Sequence, residues 1–475
     1  MTELPPAWAW ATVDDLAVAR GVIDGPFGSN LKTSHYTADG ARVIRLQNIG
    51  DGAFRDERAY IAIEHFERLR KHSVEPFDVL VASLGEQLPR ACLAPEYVGP
   101  AIVKADCVRI RTNAAALAPY LMWALNSTQV RDRVAASIKG VGRPRVNLGD
   151  LRALEVPVAP RAEQERIVAA IEEAFSKLDA GEAALRTARQ RLKRMRDAVL
   201  TAAVTGRLVP QDPTDTPASS VLSELGVSQV AGMHEVPSTW AWAALGGLLR
   251  EPLRNGMSAV KADASKGLPT FSITAVTTGD FSSANIKHTA GDWSRAEELW
   301  AEAGDVFVQR SNTPQLVGTA RLYRGAPRAA IFPDLLIRVR PVRQLRPEWL
   351  ELVLTSPGCR AFLRSRARGL AGSMPKISQP VLDTLAVVVP PEDEQDRIVA
   401  KVDVQLSCIT ACERAVDTGL ARSAALRRSV LKVAFEGRLV AQDPSDEPAS
   451  ILLERIRAER ATSEPVTGRR RGRPA

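Results

Sequence analysis

Cysteine is scarce in this chain. Five residues (Cys92, Cys107, Cys359, Cys408 and Cys412), an odd number, are spread over 475 positions. So few and odd a number suggests reduced thiols in a cytosolic protein. Cys-x-x-Cys and His-Glu-x-x-His are both missing. Cys408 and Cys412 stand four apart with no histidine nearby, so they are expected as small core residues of a helix and not as metal ligands. The five histidines (His35, His65, His72, His234, His288) are scattered and support no Ser/His/Asp set. The nearest approach to a phosphate-binding Gly-x-x-x-x-Gly-Lys-Ser/Thr loop, Gly372-Ser373-Met374-Pro375-Lys376, lacks the spacing. No Asn/Asp-Pro-Pro-Tyr/Phe tetrapeptide occurs, and Asp212-Pro213-Thr214-Asp215 has no aromatic residue to stack a flipped base. No paired-acid-plus-lysine nuclease site stands out. No apolar run approaches the ~20 residues of a membrane span. The first six residues have neither the basic nor the apolar region of a signal peptide. These gaps argue against catalysis and leave a binding protein.

What is present begins with size and charge. A chain of 475 residues exceeds one ordinary core, so two or more domains are expected. It is 45% hydrophobic and 25% charged, as a globular protein is. A net charge of +8 and a pI near 9.4 favour a polyanionic partner.

The chain also repeats itself. Glu163-Gln164-Glu165-Arg166-Ile167-Val168-Ala169 returns as Glu394-Gln395-Asp396-Arg397-Ile398-Val399-Ala400. Gly206-Arg207-Leu208-Val209 returns as Gly437-Arg438-Leu439-Val440, and Gln211-Asp212-Pro213 as Gln442-Asp443-Pro444. The offset is 231 throughout, which requires one structure built twice without insertion. With small shifts the duplication extends further. Asp78-Val79-Leu80-Val81 aligns with Asp305-Val306-Phe307-Val308, and Pro144-Arg145-Val146-Asn147 with Pro375-Lys376-Ile377-Ser378. Each half is thus a globular unit followed by a closely matched segment. The globular units share a frame but differ in polar residues. Their mixed periods predict α+β domains, with strands over 43–49, 78–83, 306–309 and 336–340 and helices over 119–138 and 347–368.

The closely matched segments carry a seven-residue apolar repeat. Ile171, Leu178, Leu185, Leu192 and Val199 form one row. Val402, Ile409, Val416 and Val430 form its counterpart, interrupted by Ser423. Companion rows are expected three residues on, at Ala174, Gly181, Ala188, Met195 and Ala202 and at Gln405, Cys412, Gly419, Leu426 and Val433. Such a seam predicts two helices of about 40 residues pairing as a coiled coil. The expected order is a first domain over 1–160, a helix over 161–205 and a linker over 206–235. A second domain over 236–391, a helix over 392–436 and a C-terminal segment over 437–475 follow. The tail from Glu464 is Gly/Arg/Pro-rich and expected to be disordered. Its Arg469-Arg470-Arg471-Gly472-Arg473-Pro474 resembles an AT-hook core, although a basic tail adding non-specific affinity is the plainer reading.

Several polar groups have the chemistry to touch nucleic acid. Arginine, glutamine and asparagine can read base edges bidentately, and lysine, serine and threonine can hold phosphates. In the first half these are Ser29, Asn30, Lys32, Arg45, Gln47, Asn48, Arg143 and Arg145. In the second they are Gln309, Arg310, Ser311, Asn312, Thr313, Arg364, Arg366, Arg368 and Lys376. Arg186, Arg189, Arg191, Lys193, Arg194 and Arg196 place six cations in eleven residues, suited to phosphate or to an acidic partner.

Gly25-Pro26-Phe27-Gly28-Ser29-Asn30-Leu31-Lys32, Arg45-Leu46-Gln47-Asn48-Ile49 and Gly304-Asp305-Val306-Phe307-Val308-Gln309-Arg310-Ser311-Asn312-Thr313 stand in order within the tandem repeat, together with the two Glu-Gln-Glu/Asp-Arg-Ile-Val helix starts. In this the chain resembles the specificity subunits of type I restriction-modification systems over nearly its whole length. The resemblance implies two target recognition domains, each reading half of a bipartite double-stranded DNA sequence. It implies two helices that pair antiparallel, hold those domains apart and dock the partners. It also implies no catalysis and no cofactor in this chain. S-adenosylmethionine would be used by two methyltransferase subunits that modify adenine at N6, and ATP and Mg by restriction subunits. The basic tail after Ala461 lies outside the repeat. The alternative is a coiled-coil protein-interaction scaffold, which would explain the helices but not the paired polar domains.

Overall fold

The computed structural model describes residues 4–137, 144–257, 260–263, 267–369 and 374–463. The chain folds as two compact units, one of residues 1–185 with 418–475 and the other of residues 186–417. Each unit therefore takes part of both long helices, Arg161–Val204 and Glu392–Phe435. Arg143, with residues 138–142, residues 370–373 and the basic tail lie outside the described residues.

Among the described residues, the first unit has a four-stranded antiparallel sheet ordered Ala17–Asp24, Cys107–Thr112, Val79–Ala82 and Arg90–Leu93. Val79–Ala82 is buried along its whole length because its alternate side chains feed two cores. Val79 and Val81 join the core around Trp8 and Tyr120, and Leu80 and Ala82 join a smaller one with Ile44 and Val103. A second sheet pairs Ala41–Ile44 in parallel with Ala101–Val103. A short ribbon joins Ala9–Thr12 to Glu155–Val158.

The second unit repeats the plan. Val306–Gln309 lies between Leu336–Val339 and Ala320–Leu322. Val306 and Val308 face one core and Phe307 another. Ala241–Ala244 pairs with Ala386–Val389.

Three expectations need correction. The stretch 43–49 is the end of a strand followed by a 3-10 turn, Leu46–Asn48. The helix expected over 119–138 is two helices, Ala118–Asn126 and Thr128–Ser137. That over 347–368 is Pro347–Thr355 and Pro357–Arg366. In both, an extended serine breaks the run, and its hydroxyl accepts from the next helix: Ser127 from the Val130 amide and Ser356 from the Cys359 amide, each at 3.4 Å.

The long helices contact each other antiparallel within each unit. In the first, Arg427 donates to Asp179 (2.5 Å) and Glu182 (3.2 Å), and the Ser423 hydroxyl donates to Glu182 (2.7 Å). In the second, Arg196 donates to Glu413 (2.9 Å) and Thr410 (3.1 Å), and Arg189 pairs with Asp417. Glu182 and Glu413 are 231 apart, as are Arg196 and Arg427, so one cross-helix pair is made twice.

All the predicted seam residues are buried or half-buried. The companion row is met in part. Of the positions three on, Ala174, Ala188, Ala202, Gln405, Gly419 and Val433 are half-buried, whereas Gly181, Met195, Cys412 and Leu426 are exposed. Positions four on join the inner face: Phe175, Glu182, Arg196, Ala203, Leu406, Glu413, Leu420, Arg427 and Ala434 are buried or half-buried, and Arg189 is exposed. Glu182, Arg196, Glu413 and Arg427 are sheltered by one another, and an apolar count passes over them. Cys408 and Cys412 are likewise exposed, not core.

The start of each long helix ties three segments together. The indole N–H of Trp8 donates to Glu163 Oε2 at 3.0 Å, and the Gln442 amide donates to Glu163 Oε1 at 2.5 Å. Gln164 donates to the carbonyls of Ala115 and Ala159 and accepts from the Leu117 amide. Arg166 pairs with Asp446 at 2.7 Å. The other copy repeats this with Trp240 and Gln211 on Glu394, with Gln395 on Gln344, Pro390 and Arg346, and with Arg397 on Asp215. The segment after one long helix thus closes against the start of the other. Gly206 and Gly437 make the turn possible. Each has a left-handed φ (+71° and +68°), and a Cβ on either would overlap Pro237 or Pro5.

Burial pushes the Glu163 and Glu394 carboxyls above the ordinary 4.5, against the hydrogen bonds from the tryptophans and glutamines. A carboxyl whose folded value is raised favours folding below its unfolded value, and that contribution is lost as pH rises through the folded value. Glu163→Gln with Glu394→Gln is therefore expected to flatten the fall in stability over that window. Gln442 and Gln211 can turn their amides to accept from the new ones. Urea midpoints from about pH 4 to 7 check this; an unchanged slope would count against it.

Candidate nucleic-acid interface

The structure sorts the predicted polar residues by burial. Asn48, Gln309 and Ser311 are buried, and for them base reading is corrected. Asn48 accepts from the Arg45 amide and donates to the carbonyls of Arg55 and Glu57 at 2.7–2.8 Å, which closes the 3-10 turn. Gln309 donates to Ile273 and Thr277 and accepts from Asn312. Their amides are spent on the fold. Asn312 is half-buried, with both ends of its amide engaged.

The others reach the surface. In the first unit, Arg45, Gln47, Lys104, Asp106 and Tyr36 line a cleft of about 570 Å3. Gln47 bonds Glu57 at 2.7 Å, and Arg145 pairs with Asp106 at 2.8 Å. The turn Gly28–Asn30 carries Ser29 and Asn30, and Lys32 follows; all three are exposed. Parallel pairing of Ala41–Ile44 with Ala101–Val103 places Lys104 near Arg45, with the Lys104 amide donating to the Ile44 carbonyl at 2.8 Å. Sequence reading missed Lys104 and Asp106 because only that pairing brings them there.

In the second unit, Ser311 and Arg368 both form backbone bridges to Lys376, and the Ile377 amide donates to the Arg310 carbonyl at 2.8 Å. This small ribbon presents Arg368 and Lys376, exposed, and Arg310, half-exposed. Thr313, Arg364 and Arg366 are also exposed. Arg364 donates to the Gln315 carbonyl, and Arg366 lies over the Phe362 ring. Beside them Arg360, also missed from sequence, is held to about 10 by burial and by its neighbour Arg364.

The ribbon has its counterpart in the first unit, where Leu84 bridges Arg145. Leu84 aligns with Ser311 and Arg145 with Lys376, so one backbone device presents different side chains in the two halves. Of the six cations between 186 and 196, Arg189 and Arg196 are engaged across the helix pair, and Arg191, Lys193 and Arg194 are exposed. Among the described residues no group of three or more His, Cys, Asp or Glu could hold a metal, and no helix is long and apolar enough to cross a membrane.

Fold and surface together define an internally duplicated α+β protein with a cationic ribbon in each copy. No family model matches the chain. It is 25% identical over 483 residues to the specificity subunit of the type I restriction enzyme EcoKI of Escherichia coli (strain K12), covering 97% of each chain. It is 25% identical over 488 residues to the StySPI specificity subunit of Salmonella potsdam, again covering 97% of each. A solved chain from a study of complex assembly and conformational transition of the type I R-M system shares the fold, with a TM-score of 0.65 and 19% identity over 92% of this chain and 99% of that one. Over nearly its whole length the chain is thus similar to specificity subunits of type I restriction enzymes, proteins that are the non-catalytic components of those systems.

Proposed function

We propose that this chain is the specificity subunit of a type I restriction-modification system and reads a bipartite double-stranded DNA target, one half with each of the recognition domains 1–160 and 236–391. In this reading the helices 161–205 and 392–436 pair along their length, and with them the chain docks two methyltransferase subunits and the restriction subunits of a cytoplasmic complex. S-adenosylmethionine, ATP and Mg belong to those partners. The observation that carries the reading is the duplicated ribbon, Leu84 with Arg145 and Ser311 with Lys376, set in one frame but bearing different side chains. A duplicated scaffold for one protein partner has no need of two such surfaces; two half-sites do.

Methylation-sensitive sequencing of the host genome tests this by revealing a two-part motif with a fixed gap. Arg310→Ala is then expected to weaken or relax one half only, by roughly 1–3 kcal/mol. Among the described residues its side chain makes one long contact, 3.5 Å, to the Asp334 carbonyl. A motif untouched in both halves would make Arg310 a structural residue.

A further inference from the structure

Arg145 combines exposure with restraint. Half of its side chain is open to solvent, yet its guanidinium lies 2.8 Å from Asp106 Oδ1 and 5.5 Å from the centre of the Phe27 ring. Its backbone bridges Leu84. Asp106 is stationed with equal care. It has a left-handed φ of +67° in the turn before Cys107–Thr112, and its carbonyl accepts from the amide and the hydroxyl of Ser83 at 2.9 and 3.0 Å. The Ser83 carbonyl in turn accepts from the Val146 amide at 2.9 Å. One serine thus locks both partners of the ion pair. Lys104, Arg45 and Gln47 share a cleft wall with Asp106.

A carboxylate on this cationic surface repels phosphate, and a half-exposed Arg–Asp pair adds little stability. It has a use if it orients the arginine. The geometry points to Arg145 as the residue that reads a guanine in one half of the target, with Asp106 as its positioning residue. This assignment rests on the DNA-specificity reading above. One arm of the guanidinium lies in ion-pair contact with Asp106 Oδ1, and the remaining N–H groups form the fork that matches guanine O6 and N7. The aligned residue in the other repeat is Lys376, a point charge without a fork, so the assignment applies to the first domain's half-site alone.

The test uses the full chain reconstituted with its methyltransferase subunits and a randomised DNA library, with methylated sites read by sequencing. Wild type should show a guanine, on either strand, at one position of the half-site read by the first domain. Arg145→Lys and Arg145→Ala should lower the preference for it by roughly 5- to 150-fold. Asp106→Asn should lower it less, and the other half should not change. Arg145→Lys keeps the charge, and its melting temperature reports whether the fold survives. Unchanged base preference in a folded Arg145→Lys complex overturns the assignment, as does a half-site with no G·C pair. A uniform fall across all sequences in Asp106→Asn overturns the positioning role. A wild-type complex with no two-part motif at all sinks the specificity reading itself, and that result is distinct from the others.

Discussion

Asp305→Ala is expected to cost the second unit about 3–5 kcal/mol. Asp305 is fully buried. It accepts from Arg340 at 2.6 and 3.2 Å and from the Glu302 amide at 2.9 Å. Arg340 is nearly buried and also donates to Glu251 and to the Trp300 carbonyl. Burial alone would lower its pKa, but Asp305 and Glu251 reverse this and hold it raised. Removing Asp305 leaves a desolvated guanidinium short of its main partner and an amide without an acceptor, the costly way to break a buried pair. Adding Arg340→Met removes the stranded charge and should recover part of the loss. The aligned pair, Asp78 with Arg111, is more open, since the Arg111 side chain is 31% exposed. Asp78→Ala should therefore cost less. Urea unfolding of the three variants checks the order; a loss of under about 1 kcal/mol in Asp305→Ala would show that the pair is dispensable.

Ending the chain at Glu436 is expected to unfold the first unit and spare the second. In sequence order, residues 437–463 follow the second domain. In space they close the first. Ala449, Leu453 and Ile456 of the helix Ala449–Ser463 lie in the core around Trp8. The Ala449 amide donates to the Ala7 carbonyl at 2.9 Å, and Arg457 pairs with Asp15 at 3.0 Å. Burying Leu453 and Ile456 contributes about 1.5–3 kcal/mol each. Their loss alone takes a large share of the roughly 5–15 kcal/mol that holds a domain. Gln442 and Asp446 would also leave Glu163 and Arg166. Ala218 and Leu222 do the same work for the second unit and remain in the shortened chain. Hydrogen exchange separates the outcomes: protection should fall in Ala17–Asp24 and Cys107–Thr112 and persist in Val306–Gln309 and Ala386–Val389. Equal protection in both units would contradict the assignment.

What was legible in the sequence follows from what local chemistry must repeat. The Glu-Gln-Glu/Asp-Arg starts match because each residue has a fixed partner: a tryptophan for Glu163, three backbone groups for Gln164 and a carboxylate for Arg166. The apolar seam was legible for the same reason. The serine breaks at Ser127 and Ser356 were not, because one extended residue between two apolar helical runs barely disturbs their period.

The sequence by itself determined the duplication, its 231-residue offset, the two long helices and the frame shared by the globular halves. These depend on residue type and spacing alone. Only the tertiary structure decided which polar residues are spent on the fold. An asparagine that closes a turn, such as Asn48, and one that faces solvent, such as Asn30, have the same side chain and similar neighbours; burial tells them apart. Tertiary structure also decided that charged Glu182, Arg196, Glu413 and Arg427 occupy the inner rows, because a charge is sheltered only when its partner, more than two hundred residues away, arrives opposite it. And it brought Asp106 to Arg145 through the pairing of strands and turns distant in the chain, a placement that no local spacing encodes.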